Sequence, residues 1–251
     1  MKRVKLIVAY DGTSYCGWQV QPNAITVEGV LNEALTSLLH ETITVIGASR
    51  TDSGVHAMGN VAVFDTDSKI PGEKFSYALN QRLPEDIRVQ SSCEVPLDFH
   101  PRKVNCNKTY QYRIVNSEFP NPLKRLYAHF TYYNLDVDKM QEAADYLVGE
   151  HDFKSFCSIH TQAKETVRTI YSLQVTKENE EIIITIRGNG FLYNMVRIIA
   201  GTLLQVGLGN RKPEEMEGIL LAKDREAAGP TAPACGLTLL QIKYEDQKIE
   251  Y

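Results

Sequence analysis

The chain contains one short polar stretch between two runs typical of β-strands, Gly47-Ala48-Ser49-Arg50-Thr51-Asp52-Ser53-Gly54-Val55-His56. The flanking runs, residues 42–47 and 60–65, alternate apolar and polar side chains as half-buried strands do. In an extended backbone Arg50 and Asp52 project to the same side, where a guanidinium keeps a neighbouring carboxylate ionised. The stretch therefore predicts either a carboxylate prepared for chemistry or a surface turn in which Asp52 bonds its own backbone.

Length and composition limit the class of protein. With 251 residues and 43% hydrophobic content, the chain fits one large globular domain or two of ordinary size. Five scattered cysteines without a Cys-x-x-Cys pair favour reduced thiols in the cytoplasm, and we expect no signal peptide and no membrane partner. The chain contains no His-x-x-x-His pair and no phosphate-binding glycine-rich loop, which argues against a metal and a nucleotide cofactor.

The predicted elements repeat the order strand, helix, strand, strand, helix, strand. In the first half they occupy residues 2–10, a helix capped by Thr26, and residues 42–47, 60–65, 73–82 and 87–95. In the second half they occupy residues 108–115, a helix capped by Asp136, a hairpin of 167–175 and 182–187, a helix at 191–206 and a strand at 238–244. We therefore predict an α+β fold with two split-βαβ halves, RRM-like or ferredoxin-like, at residues 1–105 and 106–251 with a cleft between them.

Two further features involve positive charge. The helix at 191–206 is apolar on nearly all sides yet carries Arg197. A buried unpaired arginine is costly, so we expect an acid from elsewhere in the chain, with Asp52 a candidate, unless Arg197 reaches water at the helix surface. Between His100 and Phe130, six basic residues stand against one acid, although the net charge of the chain is −4. Such a segment is typical of a polyanion-binding face or of plain solvated surface.

Several blocks of the sequence together resemble one family. The segment Arg50-Thr51-Asp52-Ser53-Gly54-Val55-His56-Ala57 is similar to the TruA-type tRNA pseudouridine synthases, and further blocks follow in the family's order over essentially the whole chain. These blocks are Tyr10-Asp11-Gly12-Thr13, Gly17-Trp18-Gln19, Lys108-Thr109-Tyr110-Gln111-Tyr112-Arg113, His151-Asp152-Phe153, and residues 188–197 and 228–237. Two positions depart from the family pattern, because Ser49 replaces a usual Gly and Pro101 a usual Ala. Ser49 is expected to alter the backbone of the loop.

The resemblance implies the pseudouridine synthase fold, in which the two halves join into one largely antiparallel sheet with a central catalytic cleft. It also implies a cytoplasmic homodimer that needs no cofactor and binds tRNA. The implied reaction converts uridine to pseudouridine at position 38, 39 and/or 40 of the anticodon stem-loop. This isomerisation consumes no water, so one ionised carboxylate suffices where a glycoside hydrolase needs two.

The resemblance also implies roles for individual residues. Asp52 would supply the carboxylate, and Arg197 would favour its ionised form. Tyr110 would stack on the displaced uracil and move the proton at C5. Arg50 would occupy the gap left by the flipped nucleotide. The candidate phosphate contacts are Arg102, Lys103, Lys108, Arg113, Lys164 and Arg168.

Two other classes of protein stay open from the residues alone. A non-catalytic RNA-binding module with the same fold would bind RNA and leave it unchanged. A carboxylate-dependent glycosidase or nuclease would need a second acid or a metal, and the sequence offers neither clearly. Cys157 near His160 is only a weak match to a Cys/His hydrolase.

Overall fold

The structure is a computed structural model that describes residues 1–159, 161 and 163–245. The contacts between residues divide the chain into two compact units, Met1–Cys106 with Leu239–Tyr251, and Asn107–Thr238. We refer to these as unit one and unit two. The assignment of an RRM-like half to residues 1–105 and another to 106–251 stays a prediction. None of the described helices is long and apolar enough to span a membrane.

Unit one contains the predicted order of elements. They are β1 (Lys2–Tyr10), α1 (Val27–Leu39), β2 (Ile46–Gly47), β3 (His56–Thr66), α2 (Phe75–Asn80) and β4 (Ile87–Val95). Strand β1 lies between β4 and β3 and is antiparallel to both, while β2 pairs with β3. The first four strands are thus arranged in the order 4-1-3-2, with helices in both crossovers, as the split βαβ pattern predicts.

Helix α1 forms where its cap and its apolar spacing require. The Thr26 hydroxyl accepts a hydrogen bond from the Gly29 amide at 3.3 Å, as the sequence predicts for an N-cap. Val27, Leu31 and Leu35, spaced four apart, are fully buried along one face. Burial of each such side chain contributes about 1.5 to 3 kcal/mol relative to leaving it exposed. The helix is therefore anchored by packing rather than by propensity alone.

Two expectations for unit one are wrong in detail. The strand predicted at 42–47 is reduced to Ile46–Gly47, because the Ile43 and Val45 amides donate to side chains of α1 at 3.1 and 2.8 Å instead of pairing with β3. The segment 60–65 was expected to be half-buried, yet β3 is buried on both faces along most of its length. A strand that alternates apolar and polar residues does not need a face exposed to solvent, because a polar residue can be buried when its polar groups are hydrogen-bonded.

Within the residues that the structure describes, unit two contains five strands and three α-helices of its own. They are β5 (Cys106–Asn116), β6 (His129–Thr131), α3 (Val137–Asp145), β7 (Gly149–Asp152), β8 (Val167–Glu178), β9 (Glu181–Gly188), α4 (Met195–Gly207) and α5 (Glu215–Ala222). Strands β5, β9, β8 and β7 follow one another as an antiparallel sheet, and β6 adds to β5 in parallel. The last strand, β10 (Leu237–Tyr244), begins at the end of unit two and continues into unit one beside β3. The predicted α+β class with a largely antiparallel sheet is confirmed.

The start of α4 differs from the sequence prediction. Helical spacing predicts a start at Phe191, whereas α4 begins at Met195. Asn194 has a left-handed backbone with φ of 60°, and the Met195 amide closes a turn onto the Leu192 carbonyl at 3.0 Å. A left-handed residue cannot continue a right-handed helix, so the apolar residues before Asn194 form a turn. This turn places Arg197 in the first turn of α4.

Candidate active site

The polar stretch forms the connection between β2 and β3, and its side chains alternate in exposure from Ser49 to Asp52. Ser49 and Thr51 are buried, with 6% and 7% of their surface exposed. Arg50 is exposed and Asp52 is half-buried. This alternation is what a locally extended backbone produces. The two charged groups are thus the accessible side chains of the segment 49–52.

Two polar side chains behind this segment, those of Asn60 and Tyr10, form a hydrogen-bonded network with it. Asn60 on β3 is fully buried, and its amide nitrogen donates to the Ser49 carbonyl at 3.0 Å and to the Tyr10 hydroxyl at 3.2 Å. The Tyr10 hydroxyl in turn lies 2.7 Å from Oγ1 of Thr51. The network therefore fixes both residues that flank Arg50, and Thr51 is also the neighbour of Asp52.

The Gly17-Trp18 pair holds the loop backbone from another side. The Trp18 amide donates to the Thr51 carbonyl at 3.0 Å, and its indole is 1% exposed. Gly17 has φ of +84°, and a Cβ atom there would lie 2.7 Å from the same carbonyl oxygen. A side chain at Gly17 would face both backbone strain and a clash. The family block Gly17-Trp18-Gln19 is therefore part of the support for the loop.

The end of the loop packs against the turn that follows β1. The Gly12 amide donates to Nδ1 of His56 at 3.0 Å, so a neutral His56 is protonated on its other nitrogen. The same Nδ1 lies 3.1 Å from the Asp11 carboxylate, which would pair with a protonated His56. A Cβ atom on Gly12 would lie only 2.1 Å from the Val55 carbonyl oxygen. The approach of these two backbones requires glycine.

Tyr110 lies on β5 in unit two, opposite Ile186 of β9. Its side chain is 7% exposed, and its ring meets the Phe191 ring edge to face, with centroids 5.3 Å apart and planes at 84°. This geometry is a preferred one for aromatic pairs. The Phe191 turn that displaces the start of α4 therefore supplies the packing partner of Tyr110.

Arg197 is half-buried in the first turn of α4, and its head group is held by neighbouring chain segments. Nε donates to the Ala232 carbonyl at 2.8 Å, and Nη1 donates to the side-chain oxygen of Asn194 at 3.0 Å. The Ala232 amide returns a hydrogen bond to the Arg197 carbonyl at 3.1 Å. The family block at 228–237 thus orients this guanidinium. The expected pairing of Arg197 with Asp52 stays a prediction.

Some tyrosine side chains near these residues are held in their neutral form. Burial raises the pKa of the Tyr112 hydroxyl, which donates to the Pro233 carbonyl at 2.9 Å. Burial and a hydrogen bond to Asp86 likewise raise the pKa of Tyr15. In the family block His151-Asp152-Phe153, the pKa of Asp152 is lowered, chiefly by the hydrogen bond from Thr166 at 2.5 Å.

The candidate phosphate contacts are distributed over both units. Arg102 and Lys103 are exposed in unit one, in the turn after His100. The other four belong to unit two: Lys108 and Arg113 on β5, Lys164 before β8, and Arg168 on β8. Arg113 is 46% exposed and its guanidinium lies 3.5 Å from the Glu181 carboxylate. The residues predicted to take part in the reaction are divided in the same way, with Arg50 and Asp52 in unit one, and Tyr110 and Arg197 in unit two.

The sequence interpretation missed the support provided by Asn60 and Tyr10. The sequence carries a signal for Asn60, which is a polar residue directly before the apolar run Val61–Phe64 of a predicted strand. If such an amide is buried, it needs hydrogen-bond partners.

His160, considered with Cys157 for hydrolase chemistry, lies outside the described residues. Among the residues that the structure describes, no group of three or more His, Cys, Asp or Glu side chains could hold a metal ion.

Comparison with known proteins assigns the family. The model of the tRNA pseudouridine synthase family matches residues 6–102 and 143–245. The chain is 50% identical over 244 residues to tRNA pseudouridine synthase A of Brevibacillus brevis, and 51% identical over 245 residues to the protein of that name from Ruminiclostridium cellulolyticum. Each alignment covers 97% of this chain and 100% of the relative.

Likeness to a solved structure is weaker. A structure described as that of a Cbf5-Nop10-Gar1 complex aligns with a TM-score of 0.35 at 12% identity, over 96% of this chain and 50% of the other. The family assignment rests on the sequence relatives, whose full length aligns with 97% of this chain. The chain belongs to the tRNA pseudouridine synthases, a family of isomerases, and is of the TruA type.

Proposed function

We propose that this chain isomerises uridine to pseudouridine at position 38, 39 and/or 40 of the tRNA anticodon stem-loop, with Asp52 as the essential carboxylate. The observation that carries the proposal is the loop itself. A buried network turns Ser49 and Thr51 inward and leaves Arg50 and Asp52 accessible. The relatives of this chain are named tRNA pseudouridine synthase A, which supports tRNA as the substrate.

The reaction balances without any co-reactant. The bond between ribose C1′ and uracil N1 breaks, the base turns, and a bond forms between C1′ and C5. The proton on C5 leaves to solvent, and N1 gains one. Asp52 acts by adding to the sugar or the base, or by removing a ribose proton, and is regenerated at the end. No cofactor takes part in this proposal.

The remaining residues have supporting roles. Arg197, oriented by Ala232 and Asn194, favours the ionised form of Asp52. Tyr110 stacks on the displaced uracil and moves the C5 proton. Arg50, exposed at the loop, occupies the gap that the target nucleotide leaves when it flips out, a step that costs a few kcal/mol.

Binding of the tRNA backbone is assigned to cations on both units. The proposed phosphate contacts are Arg102, Lys103, Lys108, Arg113, Lys164 and Arg168. Contacts of this kind position the RNA and carry no sequence information themselves. We further propose, on the family resemblance alone, that the chain acts as a homodimer in the cytoplasm.

The test measures tritium release from tRNA labelled at uridine C5. Three transcripts are used, each with uridine at only one of positions 38, 39 and 40, and Asp52→Asn is compared with the unaltered chain. We expect release from at least one transcript, and a loss on the order of a thousandfold or more in the variant, since asparagine retains the shape but not the charge. The variant should still bind tRNA.

The matched control is Asp67→Asn, which removes the same charge from an exposed side chain of the same unit. It should release tritium at the unaltered rate. Release by Asp52→Asn at that rate would remove Asp52 from the mechanism. If the unaltered chain bound all three transcripts and released nothing, the proposed reaction would be wrong.

A further inference from the structure

The loop that carries Asp52 could bury either of two alternating sets of side chains, and the structure shows which set faces the buried network. Successive side chains of an extended segment point to opposite sides, so a shift of one position would turn Arg50 and Asp52 inward. Neither charge would tolerate burial without a partner. The observed choice buries Ser49 and Thr51, which are 6% and 7% exposed.

We infer that Tyr10, Asn60 and Thr51 are positioning residues for the isomerisation, and this inference rests on the proposed function. Asn60 comes from β3 and Tyr10 from the end of β1, so the network is anchored on two paired strands. It reaches the loop at two places, the Ser49 carbonyl and the Thr51 hydroxyl. Arg50 lies between these two points, and Asp52 follows the second.

The connection is short and buried, which makes it stiff. Asn60 has no exposed surface, Tyr10 is 4% exposed, and the hydroxyl contact between Tyr10 and Thr51 is 2.7 Å long. Hydrogen bonds of this kind are strengthened away from water and hold their members in one arrangement. A catalytic carboxylate needs placement within about 0.5 Å of its productive position. The network acts through the backbone of residues 49–52, and none of its members needs to touch the RNA.

The chain offers a pair of variants that separates the hydroxyl from the shape of the side chain. Thr51→Val removes the hydroxyl and retains the branched shape, whereas Thr51→Ser retains the hydroxyl. Tyr10→Phe removes the other end of the same contact. Thr66→Val is the control. Thr66 is 3% exposed, lies at the end of β3 that is remote from the loop, and donates a hydrogen bond from its hydroxyl to the Glu41 carboxylate. In the β1–β3 pairing, Thr66 lies opposite Lys2, and Tyr10 lies opposite Ala57.

The first measurement is steady-state kinetics on tRNA. We expect Tyr10→Phe and Thr51→Val each to lower kcat about tenfold with KM changed by less than about twofold, because misplacement of a reacting group affects the chemical step. The double variant should lose little more than Tyr10→Phe alone, about tenfold rather than a hundredfold, since both changes break the contact between Tyr10 and Thr51. Thr51→Ser and Thr66→Val should keep kcat.

The second measurement does not depend on activity. Hydrogen exchange is followed for the backbone amides of residues 48–55, among which those of Ala48, Gly54 and Val55 make backbone hydrogen bonds. We expect these amides to exchange about tenfold faster in Tyr10→Phe and Thr51→Val, with no change in Thr51→Ser or Thr66→Val. Exchange still decides the inference if the unaltered chain proves inactive, so failure of the proposed function is recognised separately.

Two results would overturn the inference. In the first, Tyr10→Phe and Thr51→Val leave the exchange of residues 48–55 unaltered. In the second, an active chain loses kcat in proportion to lost thermal stability, with Thr66→Val falling on the same line. A purely structural role would produce that proportion.

Discussion

The loop at residues 47–56 and the basic segment that begins at Arg102 are both predicted to act on tRNA, but the protein holds them very differently. In the loop, Ser49 and Thr51 are buried and are bonded to Asn60 and Tyr10. In the basic segment, Arg102 is exposed on a turn. The loop is fixed by neighbours on two strands, whereas Arg102 extends a long side chain into solvent.

The difference reflects what each proposed task requires. A carboxylate that must reach one atom of a flipped nucleotide depends on exact geometry. A cation that attracts phosphate acts over several ångströms, and a flexible side chain serves it well. Loss of a loop contact should therefore change the chemical step, and loss of a single exposed cation should change affinity. The following predictions test this division.

The largest effect is expected on the free energy of unfolding, from a substitution where the loop meets the turn after β1. A Cβ atom on Gly12 would lie 2.1 Å from the Val55 carbonyl oxygen, which is backbone and cannot rotate away. Gly12→Ala should therefore lower the free energy of unfolding by about 3 kcal/mol, as overpacking of a tight contact does. Urea denaturation followed by circular dichroism measures this change.

The control for this substitution is Gly218→Ala in helix α5. No atom lies within 4 Å of a Cβ placed there, and glycine inside a helix costs about 0.5 to 1 kcal/mol relative to alanine. Gly218→Ala should therefore raise the free energy of unfolding slightly. Equal stability of Gly12→Ala and the unaltered chain would show that Val55 moves at little cost, and the loop would then be less rigid than its contacts indicate.

Much of unit one is readable from local sequence signals. Strands β1 and β4 have the predicted bounds, and the Thr26 cap marks the start of α1. The charged pair Arg50 and Asp52 is recognisable because a plain turn does not need such a cluster. These features depend on neighbours in sequence, which is why periodicity and capping rules find them.

Other features depend on contacts and backbone conformations that periodicity and capping rules do not register. Strand β2 is short because helix α1 binds the amides of Ile43 and Val45. Helix α4 starts late because Asn194 adopts a left-handed backbone, which helical spacing does not register. The support of the loop by Tyr10 joins residues 41 positions apart. Such long-range contacts exist only once the sheet has formed.

A smaller effect, on tRNA affinity, is expected at an open cleft of about 530 Å³ beside the β8–β9 hairpin. The residues that line this cleft include Arg113, Lys124 and Glu181. Glu181 pairs with both cations. If Arg113 contacts phosphate, this acid competes with the RNA. Glu181→Gln should then raise tRNA affinity about fivefold, because two cations lose their carboxylate partner. Filter binding at several salt concentrations measures the change.

The control is Glu178→Gln, which lines the same cleft and removes the same charge. Its effect on affinity should be smaller, since net charge alone acts weakly at physiological salt. Identical gains from the two variants would indicate a general charge effect, and Arg113 would no longer be a specific phosphate contact. In both variants kcat should stay unchanged, because neither residue belongs to the loop.

The smallest effect is expected from one exposed cation in unit one. Arg102→Gln should weaken tRNA binding about twofold and reduce the slope of log affinity against log salt by about 0.7 to 0.9, the share of one phosphate contact. Lys69→Gln removes an exposed positive charge elsewhere in the same unit and should leave the slope unaltered. A fall in kcat for Arg102→Gln would contradict the division between loop and basic segment. Arg102 would then have to act on the placement of the target nucleotide, although the structure gives it a solvent-exposed position.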